Sequence, residues 1–163
     1  MKIQIVNEND EVIGAKERSE LDYLVDIYRF SALWITNSKG QSLIAQRALT
    51  KDKDPGKWGP AVAGTIEEGE TYDQNIYKEA MEEIGLEGVT FTKSIKVYSS
   101  TPRRAFAQWY ITQIDRDLST LTRQKEEVEA LAWIDTEQLK RELVDMPDKY
   151  IPSMTQIVSQ LGL

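Results

Sequence analysis

The chain has 163 residues, of which 40% are hydrophobic and 29% charged, and these values indicate one globular domain covering residues 1–163. The net charge of −7 argues against nucleic-acid binding, and the sequence contains no apolar run of membrane-spanning length and no signal peptide, so a cytoplasmic location is the default expectation. The absence of cysteine and histidine excludes disulfides, imidazole zinc sites and serine–histidine catalysis. A catalytic metal would therefore need oxygen ligands, which favour Mg²⁺ or Mn²⁺.

The N-terminal half of the sequence predicts extended segments joined by short turns. Residues 2–6 and 12–16 flank the turn NENDE and predict an N-terminal β-hairpin. Residues 28–37 and 42–47 predict two strands joined by the turn SKGQ. The charged segment TKDKDPGK predicts a loop, and the residues WGPAVAGTI after it are short and extended.

The C-terminal half predicts both helices and strands. A helix is expected over 71–85, strands over 89–99, 105–114 and 130–134, and two closing helices over 136–143 and 153–161. Because strands and helices are interspersed, we predict an α/β fold with a mixed sheet covered on both faces.

The helix over 71–85 carries an acidic face. Its ends are marked by a capping box from Thr71 to Gln74 and by Gly85. One side presents the apolar set Ile76, Tyr77, Ala80 and Ile84, which we expect to pack on the sheet. Another side presents Glu79, Glu82 and Glu83, which form either a solvated acidic surface or a cage for a hard cation.

The residues around this helix distinguish the two interpretations. Gly64 is followed after five residues by Glu70, and after seven more by Lys78-Glu79-Ala80-Met81-Glu82-Glu83-Ile84-Gly85-Leu86. This spacing closely resembles the Nudix box, with both glycines and all four glutamates in place. Two positions depart from the family pattern, because Lys78 replaces an arginine and Ala80 is smaller than the usual aliphatic residue.

The resemblance implies a Nudix-type α/β/α sandwich with a central mixed β-sheet and an N-terminal β-hairpin. It assigns Glu79, Glu82, Glu83 and the backbone carbonyl of Ala63 to the metal, with Glu79 also a candidate general base. The remaining motif residues have structural roles: Glu70 holds the loop to the helix with an ion pair to Lys78, and Gly64 and Gly85 complete the motif.

The segment QRALTKDKDPGKWGPAVAG is similar to the matching stretch of isopentenyl-diphosphate isomerases and related Nudix hydrolases. That resemblance implies that Arg47 and Lys51 bind the substrate diphosphate, and the alternative is an ordinary solvated loop. An isomerase activity is disfavoured, because the catalytic cysteine of the isomerases falls at Ala63 and their metal-binding histidine at Thr65.

A later segment, KEEVEALAWIDTEQL, resembles the family region that approaches the helix and supplies a further base or ligand. Its candidates are Glu126, Glu127 and Glu129, and we favour Glu127 because it directly precedes the strand. The alternative is that all three are solvated loop charges.

The sequence thus predicts a metal-dependent hydrolase that cleaves a diphosphate bond in a small, nucleoside-diphosphate-linked or similar substrate. The alternatives are a Nudix-fold sensor that binds a nucleotide without cleaving it and, with less support, an isomerase-like enzyme. The expected partner is the diphosphate substrate, and neither a nucleic-acid nor a membrane partner is expected. A chain of this size is compatible with a homodimer, but no feature of the sequence requires one.

Overall fold

The computed structural model describes residues 1–163 and is organised around one nine-stranded mixed sheet. The strands are β1 (Lys2–Val6), β2 (Val12–Glu17), β3 (Ile27–Thr36), β4 (Gln41–Arg47), β5 (Trp58–Pro60), β6 (Val62–Thr65), β7 (Thr92–Ser99), β8 (Ala105–Gln113) and β9 (Val128–Asp135). The helices are α1 (Tyr72–Ile84), α2 (Thr136–Asp145) and α3 (Met154–Gln160). None of the helices is long and apolar enough to cross a bilayer.

Strand β3 is the centre of the sheet. It pairs in parallel with β8 from Tyr28 to Thr36, and it pairs antiparallel with β1, β4 and β6. Strand β4 continues the sheet to β5 and β9, and β7 closes the other side against β8. The predicted mixed sheet is confirmed, and its parallel pair joins strands far apart in the sequence.

Alternation along β3 separates two apolar layers. Leu33 and Ile35 are buried in the layer formed with α1, whereas Ala32 and Trp34 are buried in the layer formed with α2 and α3. Successive side chains of a strand point to opposite faces, so a central strand covered by helices on both sides is apolar on both faces, as β3 is over residues 32–35. This arrangement confirms the α/β/α sandwich.

The N-terminal hairpin, β1 and β2, supports the segment that leads into α1. Gln4 donates its backbone N–H to the carbonyl of Ile66 at 3.1 Å, and Glu68 donates to the carbonyl of Lys2 at 2.9 Å. Asp10 at the turn of the hairpin contacts Arg29 of β3 at 2.6 Å and the Tyr72 hydroxyl at 3.1 Å. The hairpin therefore fixes the start of α1 relative to the sheet.

Two details of the sequence prediction were wrong. Strand β7 begins at Thr92 and not at residue 89, since Gly88 adopts a left-handed conformation (φ 73°) and the chain turns there. Tyr77 does not join the buried face of α1: it is 42% exposed, while Ile76, Ala80 and Ile84 are fully buried. Tyr77 instead stacks on Phe91, with ring centroids 4.4 Å apart.

Candidate active site

Both ends of α1, the helix that carries the acidic face, are fixed by hydrogen bonds. Thr71 and Gln74 form the predicted capping box, and Gly85 adopts the left-handed conformation (φ 66°) that ends the helix. Beyond it, the loop before β9 docks on the last turn: Thr122 donates to the carbonyl of Ile84 at 3.0 Å and Gln124 to that of Glu83 at 2.9 Å. This docking places the Glu127 loop beside the acidic helix.

Gly64 of β6 makes a close approach to α1. A Cβ atom at this position would overlap the side chain of Glu79. A larger residue would therefore push the Glu79 side chain out of this position, and the first glycine of the motif has a steric explanation.

Asn75 connects the strand, the loop and the helix beneath the acidic face. Its carboxamide is fully buried; it accepts from the Ser31 hydroxyl at 2.5 Å and donates to the carbonyl of Thr65 at 3.1 Å. The same Nδ2 atom lies 2.9 Å from Glu70 and 3.5 Å from Glu79. A buried amide with all its partners satisfied stabilises one arrangement of these groups.

Glu70 joins the loop to the helix. Its carboxylate accepts from the backbone N–H of Glu67 at 2.9 Å and forms an ion pair with the Lys78 ammonium. The pKa of Glu70 is lowered because Lys78, the Glu67 backbone and Asn75 together outweigh its desolvation. The ion pair expected from the sequence is thus present, with lysine where the family has arginine.

Glu83 is a buried carboxylate and Glu79 a half-buried one, and both have few partners. Glu83 is 9% exposed, and its hydrogen-bond donor is the backbone N–H of Ala63 at 3.4 Å. Burial, followed by the charge of Glu79, raises the pKa of Glu83 to about 8. Burial likewise raises the pKa of Glu79 to about 7, and the nearby Lys78, at 3.9 Å, only partly offsets it. Ionisation of both side chains therefore costs more free energy than that of a solvated glutamate, and an added positive charge would reduce this cost.

Glu82 differs from its two neighbours because its side chain is exposed. No three acidic side chains of the chain lie within reach of a single ion as the structure stands. The carboxylates expected to act as ligands are therefore brought to one surface, but they are not gathered into a coordination sphere.

A cleft of about 130 Å³ opens beside Glu83. It is lined by residues of five separate segments, among them Arg47, Pro60, Ala63, Glu83, Glu127 and Ile151. The cleft thus unites the predicted helix glutamate, the predicted backbone position, one of the predicted basic residues and the favoured loop glutamate.

The two predicted basic residues have different surroundings. The Lys51 ammonium lies 2.6 Å from a carboxylate oxygen of Glu127, although 76 residues separate them in the chain. Arg47 lines the cleft and donates its Nε–H to the carbonyl of Lys53 at 2.8 Å. That contact uses only Nε, so the two terminal Nη groups remain available for paired binding to phosphate oxygens. Glu126 and Glu129 are exposed and do not line the cleft.

Comparison with known proteins identifies the family. The model of the NUDIX domain matches residues 27–154. The chain belongs to the Nudix family.

Relatives of this Nudix protein include named hydrolases. An uncharacterised Nudix hydrolase of Listeria monocytogenes is 33% identical over 83% of this chain and 80% of its own length. A prenyl-diphosphate phosphatase of Methanosarcina mazei is 26% identical over 94% of this chain and 91% of its own. Isopentenyl-diphosphate isomerases also match, at 25–28% identity. The family and its named members support a hydrolase, in the branch that resembles the isomerases.

The fold has a close counterpart among solved structures. The crystal structure of DR0079 from Deinococcus radiodurans superposes with a TM-score of 0.85, covers 99% of both chains and shares 23% sequence identity. At this identity the likeness establishes the fold.

Sequence reasoning missed Asn75 and the pairing of Lys51 with Glu127. The signal for Asn75 was present, since an asparagine inside a helix is unfavourable unless its amide forms hydrogen bonds. The Lys51–Glu127 contact left no signal, because it depends on how two distant loops approach each other.

Proposed function

We propose that this Nudix protein hydrolyses a diphosphate bond in a small molecule with the help of Mg²⁺ or Mn²⁺. The observation that carries the proposal is the cleft in which Glu83, Ala63, Arg47 and Glu127 converge. Carboxylates for a cation and a guanidinium for phosphate oxygens are the groups that phosphoryl transfer requires.

The donor atoms at the site fit a hard divalent cation. Glu79, Glu82, Glu83 and the carbonyl of Ala63 offer only oxygen, which is the ligand type that Mg²⁺ and Mn²⁺ prefer. The raised pKa values of Glu79 and Glu83 support this assignment, because a cation would offset the cost of two like charges that are partly or fully withdrawn from water. The exposed Glu82 would have to rotate toward the other two. When bound, the ion supplies Lewis-acid stabilisation of the charge on the phosphoryl oxygens.

The protein's own side chains divide the remaining tasks. Arg47 and Lys51 bind the non-reacting oxygens of the diphosphate, and the substrate replaces part of the contact between Lys51 and Glu127. A water molecule attacks phosphorus in line with the leaving oxygen, and the P–O bond breaks to give two phosphates. Glu127 accepts the proton of that water, since it lines the cleft together with Glu83. Glu79 is the second candidate for this role.

Two substrate classes follow from the family and from the relatives. Nucleoside diphosphates joined to another group are the class that the family resemblance implies. Isoprenoid diphosphates are the class named for the Methanosarcina mazei relative. Both present the diphosphate that the cleft would bind, and they differ in the group attached to it.

The test is product release from a substrate panel with Mg²⁺, with Mn²⁺ and with a chelator. The panel includes ADP-ribose, dinucleotides, nucleotide sugars, nucleoside di- and triphosphates and prenyl diphosphates. We expect metal-dependent cleavage of at least one member into two phosphate-containing products. Ligand-induced thermal stabilisation without any cleavage would instead indicate a nucleotide sensor.

A further inference from the structure

A second pocket opens directly off the cleft, and we call it the side pocket. Its volume is about 180 Å³, and it shares Pro60, Ala63 and Ile151 with the cleft. Ala63 is the residue whose N–H contacts the Glu83 carboxylate, so the side pocket begins where the diphosphate is proposed to bind. A group attached to that diphosphate would reach the side pocket by passing over Ala63 and Pro60.

The walls of the side pocket are apolar. Its floor lies between β3 and β8, where Ala32, Ala107 and Trp109 are buried, and Ile157 of α3 closes one side. Phe30 and Val97 complete the walls and are half-buried. No charged residue lines it.

The polar residues of the side pocket belong to its outer part. Ser99, Ser153 and Gln156 are exposed, and Gln160 is half-buried. A nucleobase seated on the floor would bury ring nitrogens and carbonyl oxygens against alanine, tryptophan and isoleucine side chains. Such polar groups without partners cost free energy, whereas a hydrocarbon loses nothing on entering.

We propose that the side pocket binds the hydrocarbon group of an alkyl or alkenyl diphosphate. The proposal deepens the function proposed above and rests on it. The reaction is the addition of water to the terminal phosphorus and the breaking of the P–O–P linkage. The products are inorganic phosphate and the alkyl phosphate, and the proton of the water passes to a site carboxylate.

The volume sets the length of the hydrocarbon. An apolar protein cavity of about 150 Å³ accommodates benzene, so the side pocket seats a group of about five or six carbons. Further carbons of a longer chain extend toward the outer rim. The gain in binding is therefore expected to rise with chain length and then to level off.

The experiment compares kcat/KM for methyl, isopentenyl and geranyl diphosphate with that for UDP and CDP, all with Mg²⁺. Each buried methylene contributes about fourfold, so the gain from one carbon to five is on the order of a hundredfold. We expect little further gain at ten carbons and lower values for both nucleotides. Equal values for methyl and isopentenyl diphosphate, or a higher value for either nucleotide than for isopentenyl diphosphate, would overturn the proposal.

Two substitutions at Val97 test the side pocket itself. Val97→Gln makes one wall polar without adding charge, and Val97→Trp fills the space with an apolar ring. Both are expected to reduce the advantage of isopentenyl over methyl diphosphate, measured as the ratio of their kcat/KM values, at least tenfold. Val144→Gln is the matched control, since Val144 is 80% exposed on α2 and is expected to leave the advantage unchanged. An unchanged advantage in both Val97 variants, with folding confirmed by circular dichroism, would contradict the proposal.

Binding of uncleavable probes separates this inference from the proposed hydrolysis. Methyl and pentyl methylenebisphosphonates are titrated calorimetrically into the wild-type protein and the Val97 variants. Tighter binding of the pentyl probe, lost in the variants, supports the side pocket even if no diphosphate is cleaved. Cleavage of nucleotides together with equal binding of the two probes would support the hydrolase and reject the side pocket.

Discussion

The α-carbon of Gly64 lies so close to Glu79 that a methyl group at position 64 would occupy the space of that side chain. The strand and the acidic helix are thus in contact at the point where the metal is proposed to bind. The position of the Glu79 carboxylate depends on the absence of a side chain below it.

Gly64→Ala is therefore expected to lower turnover at least about tenfold, because it displaces a proposed ligand and a misplaced catalytic group is costly. Gly14→Ala is the matched control: Gly14 is also in a strand, with open space around its α-carbon. Turnover on the best substrate and thermal unfolding are measured for both. Similar turnover in both variants would show that the close approach has no catalytic consequence.

The stability of the metal-free protein is expected to fall as the pH rises. The folded-state pKa values of Glu79 and Glu83, about 7 and about 8, lie above the ordinary value of 4.5. Between pH 4.5 and about 8 the folded state binds more protons than the unfolded state. The contribution of these two glutamates to the free energy of unfolding is therefore complete below the ordinary pKa and is lost as the pH rises through the folded-state values. Urea unfolding in a chelator is expected to give at least ~1 kcal/mol less stability at about pH 8.5 than at about pH 5. In Glu83→Gln this slope is expected to be shallower; a slope as steep as that of the wild type would contradict the burial of this charge.

Substitution of Glu127 is expected to lower kcat more than substitution of the two other glutamates in the same segment. Glu127→Gln removes a carboxylate that lines the cleft and contacts Lys51, and the loss of a general base reduces kcat by about a hundredfold or more. Glu126→Gln and Glu129→Gln change exposed residues of the same segment and serve as controls. Small and equal effects at all three positions would indicate a solvated loop.

Arg47 is expected to act on substrate binding more than on the chemical step. Arg47→Ala should raise KM several-fold more than it lowers kcat, because the guanidinium binds diphosphate oxygens in both the ground state and the transition state. Arg141→Ala, on the exposed surface of α2, is the control for loss of positive charge. Kinetic constants within about twofold of the wild type would contradict a role in substrate binding and would indicate that Arg47 only contacts the Lys53 carbonyl.

The sequence predicted those parts of the molecule that depend on local spacing. The capping box at Thr71, the left-handed Gly85 and the apolar face of Ile76, Ala80 and Ile84 are set within one helix and were predicted correctly. The prediction for Tyr77 was wrong, because its stacking partner Phe91 lies in a loop, and the periodicity of the helix carries no information about where that loop runs.

Long-range contacts escaped prediction for a similar reason. The parallel pairing of β3 with β8 and the side pocket between them arise from the order of strands in the sheet. Glu83 is buried where its carboxylate meets the backbone of Ala63, whereas Glu82, one position earlier in α1, is exposed. Neighbouring glutamates therefore look equivalent in the sequence and differ in the fold.

The central claim is metal-dependent hydrolysis at the carboxylates of α1. It is tested most directly by phosphate release from the best panel substrate as Mg²⁺ is titrated into the wild type, Glu82→Gln and Glu83→Gln. We expect no turnover in a chelator, saturable activation in the wild type and at least about a hundredfold lower turnover in each variant with the fold retained. Full activity in the chelator, or near-normal turnover in a folded Glu83→Gln protein, would contradict the claim.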